Sequence, residues 1–358
     1  MYAKKLVLKD FRNIDSACAE FEPGINILLG DNAQGKTNAM EGIYLFSLAR
    51  SFRTTREREY IRDGQKNAYL SLDFYAQNRD QRAEIGYEKG GRKKTKRNGV
   101  TVTRMSEFVG VFRSVIFCPE HLSLVKSGPA DRRRFLDYAI SQLDPSYLRA
   151  QQTYTRALMQ RNKLLLTLDS MGKSGENMLD IWDKKLAEAG GIISKKRAEY
   201  TESVNRYACG FFSDMTSGAE RPCFEYRDER DEENILRLLH SVRERDIKLR
   251  TTSAGPHKDD ISITLNGREA RAYASQGQQR SLAVAMKLAE AGISGERTGE
   301  KPVLLLDDVL SELDEHRKKY ILTSLRDGQI IISACEKDIF GQSSGNVINV
   351  KGGTFSCI

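Results

Sequence analysis

The sequence predicts an α/β protein in which a phosphate-loop lobe is built from both ends of the chain and a helical lobe is inserted between them. Three observations predict it. Residues 30–37 read GDNAQGKT, a Gly-x4-Gly-Lys-Thr loop between the strand-like run INILLG and the helix-patterned TNAMEGIYLFSLA. Residues 303–308, VLLLDD, are a second apolar run, ending in two carboxylates. Between them, from about residue 121 to 250, apolar residues recur with the helical period.

The first 118 residues read as strands around one helix. MYAKKLVLKDF carries no long apolar run or small-residue cleavage site, so it reads as a first strand rather than a signal peptide. AYLSLDFYAQ and RAEIGYEKG alternate as antiparallel strands, GRKKTKRNG is a basic turn before VTVTRM, and SVIFCPE is a buried strand stopped by Pro119. Helices follow at 131–143 and 145–168, the second with Pro145 at its start. SMGKSGEN interrupts the pattern and 178–215 resumes it, a hairpin with arms of roughly 25–35 residues. Beyond TTSAGPHKDD come the strand ISITLN, a helix from about Gln278, the strand PVLLLDD, the helix DEHRKKYILTSL and the strands QIIISA and GNVINVKGGTFSC. The expected lobes are 1–118 with 256–358 for the ATPase part and 119–255 for the helical insert.

Composition narrows the class. Of 358 residues, 39% are hydrophobic and 30% charged, and no run approaches 18 apolar residues, so no transmembrane helix is expected. The six cysteines are scattered without C-x-x-C pairs or nearby histidines, which argues against metal ligation and disulfides and for a reducing cytoplasm. The net charge of +8 favours a polyanionic partner. Arg92, Lys93, Lys94, Lys96 and Arg97 crowd into one stretch, and arginine clusters at 51–59 and 131–137 add to it. These point to phosphate contacts on DNA; the alternative is a solvated hairpin tip or helix face.

The loop chemistry is specific. Backbone N–H groups of Gly30, Asp31, Asn32, Ala33, Gln34 and Gly35, with the following helix N-terminus, form a cradle for the phosphates of ATP. Lys36 is placed to reach the β- and γ-phosphates, and Thr37 to offer its hydroxyl to Mg²⁺. At the end of VLLLDD, Asp307 would hold Mg²⁺ through water, and Asp308 would polarise the attacking water. About 270 residues separate the two halves of this site, a distance that small-molecule kinases and GTPases do not keep. A helical insert of this kind characterises ATPases of the ABC superfamily class. Those need a second anion cradle, and SQGQQR supplies Ser275, Gly277 and Gln278 at a helix start. In such an architecture this cradle serves the γ-phosphate bound to a second subunit, with SELD at 311–314 along the same boundary. An ordinary helix cap is the alternative for Ser275. Lys36, Ser275 and Asp308 are thus the expected catalytic set.

Six segments occur in order from residue 8 to 314: LKDFRNI, GDNAQGKTN, FCPEHLSLVKSGPADRRRFLD, GPHKDD, SQGQQRS and LLLDDVLSELD. By these the chain resembles the RecF family, bacterial recombination-repair and replication proteins related to the SMC-type chromosome ATPases. The resemblance implies a cytoplasmic protein, not membrane-bound, that binds ATP and single-stranded, gapped or junction DNA. It implies an ATP-dependent homodimer with weak, DNA-stimulated ATPase activity. Such a dimer would assist recombinase loading with RecO- and RecR-type partners, and support fork restart and the SOS response. The alternative is the ATPase subunit of an ABC-type transporter, which predicts a shorter chain and a Gly-Gly signature. Two departures from the ABC class stand out: Ser333, Ala334 and Cys335 replace its phosphate-sensing histidine, and Pro119-Glu120 stands where glutamine is common. Residues 255–260 are either a structural turn or a nucleotide contact, and Arg12 either reaches the nucleotide or lies in an exposed loop.

Overall fold

The computed structural model describes residues 1–168, 172–216, 218, 220–324, 327–335 and 345–357. The chain divides into two compact units, Met1–Ser123 with Asp214–Ser217 and Ala283–Ile358, and Leu124–Ser213 with Gly218–Leu282.

The first unit opens with β1 (Tyr2–Phe11), β2 (Ile14–Glu20) and β3 (Ile25–Leu29), followed by helix α1 (Lys36–Leu48). Next come β4 (Asn67–Ala76), β5 (Arg79–Glu88), β6 (Lys94–Arg97), β7 (Val100–Val102), the short α2 (Met105–Phe108) and β8 (Ser114–Phe117). Strands in the order β2-β1-β4-β5-β6-β7 form an antiparallel sheet. Alternation places Leu70, Leu72 and Phe74 of β4 wholly inside. Its tight turns use residues that accept left-handed backbone, Gln77-Asn78 at φ 54° and 57° and Asn98-Gly99 at φ 50° and 81°. The segment read as a basic turn is therefore partly strand, since Lys94, Lys96 and Arg97 lie on β6.

The second unit carries α3 (Pro129–Leu143), α4 (Pro145–Thr167), α5 (Gly172–Thr216), β9 (Pro222–Tyr226), α6 (Glu232–Ser241), α7 (Arg243–Leu249), β10 (Ile261–Leu265), β11 (Arg268–Glu269) and α8 (Ala270–Tyr273). Helix α5 belongs to this unit up to Ser213 and to the first from Asp214, and helix α9 (Gln276–Thr298) begins in this unit and ends in the first. Three expectations are corrected. The insert is not purely helical, because β9, β10 and β11 form a sheet in the order β11-β10-β9, and this unit extends to Leu282 rather than residue 255. The second hairpin arm is also longer than expected: α5 has 45 residues, roughly 68 Å at 1.5 Å each, so of the segment 170–177 only 170 and 171 lie outside the described residues. Gly191 within it has a packing reason, since a Cβ there would stand 2.9 Å from the Glu232 nitrogen. Arg161 of α4, fully buried, joins Asp183 at 2.6 Å, Asp246 at 2.7 Å and Thr252 at 2.8 Å, holding α4, α5 and α7 together.

Returning to the first unit, β12 (Val303–Leu306), α10 (Glu315–Ser324), β13 (Ile330–Ala334), β14 (Asn346–Lys351) and β15 (Thr354–Cys357) complete the chain. The second sheet runs β15-β14-β3-β13-β12-β8, parallel apart from β15. VLLL of β12 and IIISA of β13 are buried on both faces, which is why they read as continuous apolar runs. Because β3, β12 and β13 are parallel, their carboxyl ends share one edge. That edge carries Gly30, Asp307 and Cys335, the place where open α/β sheets bind ligands.

Candidate nucleotide-binding site

The loop after β3 admits only glycine at its first position. A Cβ on Gly30 would lie 2.2 Å from the Val350 carbonyl oxygen of β14. Ala33 at φ 64° and Gly35 at φ 117° then turn the backbone through left-handed conformations, as phosphate-binding loops do. Helix α1 starts at Lys36 without a side-chain cap, leaving its first N–H groups available to an anion. The turn between β14 and β15 clasps the loop: the Gly352 and Gly353 N–H groups donate to the Gln34 side-chain and main-chain oxygens at 2.7 and 2.9 Å.

Lys36 is 4% exposed, and its ammonium donates to the carbonyls of Gly30 at 2.5 Å and Asp31 at 2.9 Å, with Cys335 Sγ at 3.4 Å. The Cys335 thiol also donates to Asn32 Oδ1 at 3.1 Å. Thr37 Oγ1 donates to Asp307 Oδ1 at 3.1 Å, joining the two halves of the sequence pattern. Burial pushes the Asp307 carboxyl up to about 6; the neighbouring Asp308 charge adds to this, while hydrogen bonds from Ser333 and Thr37 oppose it. A buried carboxylate beside a hydroxyl is an oxygen donor set suited to Mg²⁺.

Asp308 sits at φ 50°, a strained position for a residue with a side chain. Ser333 Oγ accepts its N–H at 2.9 Å and lies 3.0 Å from Oδ1 of both Asp307 and Asp308. Where the ABC class places a histidine, this chain has a hydroxyl that fastens the two acids. The absent histidine pointed to the position, but the contacts required the fold.

Arg12 is not an exposed loop residue. It donates to the fully buried Glu41 of α1 at 2.6 and 2.9 Å and lies over the Tyr60 ring at 5.4 Å. Arg53 also reaches Glu41, at 3.3 Å, yet remains 42% exposed and draws the Asp307 carboxyl downward.

Ser275, Gly277 and Gln278 belong to the second unit, whereas the loop, Asp307 and Asp308 belong to the first. Ser275 Oγ accepts the Gln278 N–H at 3.3 Å and Gln278 Oε1 accepts the Ser275 N–H at 2.6 Å, a capping box at the start of α9. The helix thus begins at Gln276, two residues earlier than expected, with Ser275 exposed. Residues 255–260 form a turn of the second unit. Gly255 is at φ 122°, the Pro256 carbonyl accepts from Arg197 at 2.7 Å, and Asp260 takes both arms of Arg132 at 2.7 Å. The His257 ring bonds the Tyr154 hydroxyl at 2.7 Å, and burial lowers its pKa to about 4.

The basic clusters are only partly available. Arg132 and Arg133 are taken up by Asp260 and the Asp259 carbonyl. Lys93 donates to the Ala49 carbonyl and Glu57, and Arg97 donates to Gln81 at 2.8 Å. Lys94 faces Glu88 at 3.8 Å, while Arg92 and Lys96 are exposed without a hydrogen-bonded or ion-paired partner among the described residues. Replacing Arg92, Lys94 and Lys96 by alanine is therefore expected to flatten the salt dependence of duplex DNA binding by about 0.9 log units per lost contact. Lys93→Ala and Arg97→Ala should leave that slope alone and lower stability instead, as a urea titration would read. An unchanged slope in the triple variant removes the cluster from the DNA surface.

The family model RecF/RecN/SMC N terminal domain matches residues 2–353. A Clostridium perfringens (strain SM101 / Type A) protein named DNA replication and repair protein RecF is 41% identical over 338 residues, covering 93% of this chain and 92% of its own. A Thermoanaerobacter sp. (strain X514) protein of the same name is 39% identical over 358 residues, covering 98% of both. Among solved structures, that of the recombination mediator protein RecF-ATPrS in the RecFOR pathway superposes with a TM-score of 0.92 at 36% identity, covering 100% of this chain and 98% of that one. An Smc head domain from Pyrococcus furiosus shares the fold, with a TM-score of 0.57 at 17% identity over 100% of this chain and 96% of its own. The transporter alternative finds no support in these relatives.

Proposed function

The chain belongs to the RecF/RecN/SMC N-terminal domain family of ATPases, with proteins named DNA replication and repair protein RecF, and from that membership we propose that ATP joins two copies of it on DNA. The Thr37–Asp307 hydrogen bond carries the reading, because it brings a phosphate loop and an acid-ended strand to one sheet edge. Lys36 binds the β- and γ-phosphates, and Thr37 with Asp307 would hold Mg²⁺, which would supply positive charge to the triphosphate. Asp308, fastened by Ser333, orients and polarises the attacking water. The α9 N-terminus, with Ser275, Gly277 and Gln278, approaches the γ-phosphate held by the partner. Turnover is slow and stimulated by DNA, so hydrolysis is a timed release. The relatives' names, DNA replication and repair protein RecF and a recombination mediator of the RecFOR pathway, support a role in DNA repair. Within that role we place the chain in the cytoplasm at gaps and junctions, working with RecO- and RecR-type proteins in recombinase loading, fork restart and the SOS response.

Mixing two inactive variants tests the shared site. Lys36→Ala removes nucleotide binding, and Ser275→Arg fills the partner cradle while keeping its own Lys36. Each alone should lack DNA-stimulated turnover, while an equimolar mixture should regain part of it, because a mixed dimer has one intact site. A mixture as inactive as its components contradicts a site shared between subunits.

A further inference from the structure

We propose that the outward face of α5 is a second contact between two copies of this chain, independent of nucleotide, in which the helices pair antiparallel about a two-fold axis. The core side of α5 buries Leu179, Asp183, Leu186 and Ile193. The opposite side exposes Met178 at 38%, Ile181 at 54% and Ile192 at 45%. Exposed Lys185, Glu188 and Lys195 complete the stripe and have no ion-pair partner among the described residues; Lys185 lies over the Trp182 ring. The positions advance by three and four residues in turn, the spacing of a coiled-coil seam, which on a helix is a strip about 100° wide.

The pattern selects its occupant because it complements itself when reversed. About a point between residues 186 and 187, an antiparallel copy sets Ile181 against Ile192, Lys185 against Glu188 and Met178 against the aliphatic stem of Lys195, each twice. Parallel pairing would set Lys185 on Lys185 and Glu188 on Glu188. Sliding the antiparallel register by one heptad sets Lys185 on Lys195 in one direction and Ile181 on Lys185 in the other. Only the centred antiparallel register joins apolar to apolar and cation to carboxylate. With the ATP-linked contact also formed, one chain would carry two different two-fold contacts, which build strings or closed tetramers rather than dimers.

Sedimentation of the nucleotide-free protein tests this, in a Lys36→Ala background so that an ATP-linked dimer contributes nothing. A reversible dimer of the 40.5 kDa chain is expected. Lys185→Glu, or Glu188→Lys, places like charges together twice and should weaken it about tenfold or more. The double reversal Lys185→Glu/Glu188→Lys should restore it. A chain that stays monomeric up to about 0.1 mM, or a double variant as weak as either single one, overturns the proposal. Neither result bears on the shared nucleotide site, which the mixing experiment reads separately.

Discussion

Lys36→Ala is expected to lower ATP affinity about a hundredfold or more while the chain stays folded. Charge-assisted hydrogen bonds contribute about 1.5–3 kcal/mol each, and two of them to the phosphates reach that figure. In the nucleotide-free chain the ammonium is held by the carbonyls of Gly30 and Asp31, so it stands inside the loop. Alanine leaves those carbonyls to water and changes no core packing. Gly30→Ala makes a useful contrast, because its Cβ would collide with the Val350 carbonyl and disturb β3 and β14 as well. Calorimetric ATP titration beside urea unfolding separates the two. Lys36→Ala should lose binding with little change in stability, and Gly30→Ala should lose both. Wild-type ATP affinity in Lys36→Ala would place the phosphates elsewhere.

Asp308→Asn is expected to reduce turnover by about 10²–10⁴-fold, the usual contribution of a positioned general base, while ATP still binds. Asparagine tolerates the left-handed backbone that Asp308 adopts at φ 50°, and it accepts a hydrogen bond from Ser333 as aspartate does. The change is therefore confined to charge. ATP-bound dimers should then remain on DNA, because a ligand that binds only the closed form stabilises it until it is cleaved. Dissociation from DNA after dilution, with ATP held constant, is the readout. Release as fast as wild type, with hydrolysis abolished, would show that hydrolysis is not the release step. Asp307→Asn should behave differently, weakening Mg²⁺ and ATP binding together.

What was legible in the sequence was local or periodic. The phosphate loop is a contiguous pattern whose Gly30, Gly35 and Lys36 each answer a geometric need, and buried parallel strands announce themselves as apolar runs. The capping box at Ser275 is likewise a three-residue spacing. What stayed hidden depends on partners distant in the chain. Five cations in six positions look alike as letters, yet Lys93 and Arg97 are held by Glu57 and Gln81 while Arg92 and Lys96 face solvent. Arg12 and Glu41 lie 29 residues apart, and no local rule pairs them. β9 is too short for its alternation to stand out among helices, and the helical period of α5 continues through glycines that normally interrupt one. The hold of Gly352 and Gly353 on Gln34 and of Ser333 on two carboxylates exists only once the parallel sheet has brought their strands together.

The central claim is that the nucleotide is a joint between subunits, and the molar mass in solution tests it most directly. Light scattering of a dilute variant carrying Lys185→Glu, which weakens the α5 contact, reads the nucleotide-linked contact. With ATP, Mg²⁺ and gapped DNA withheld in turn, the mass should double from 40.5 kDa only when ATP is present, and Ser275→Arg should abolish the doubling. A mass that stays at one chain with saturating ATP and Mg²⁺, or doubles equally without them, would contradict the account.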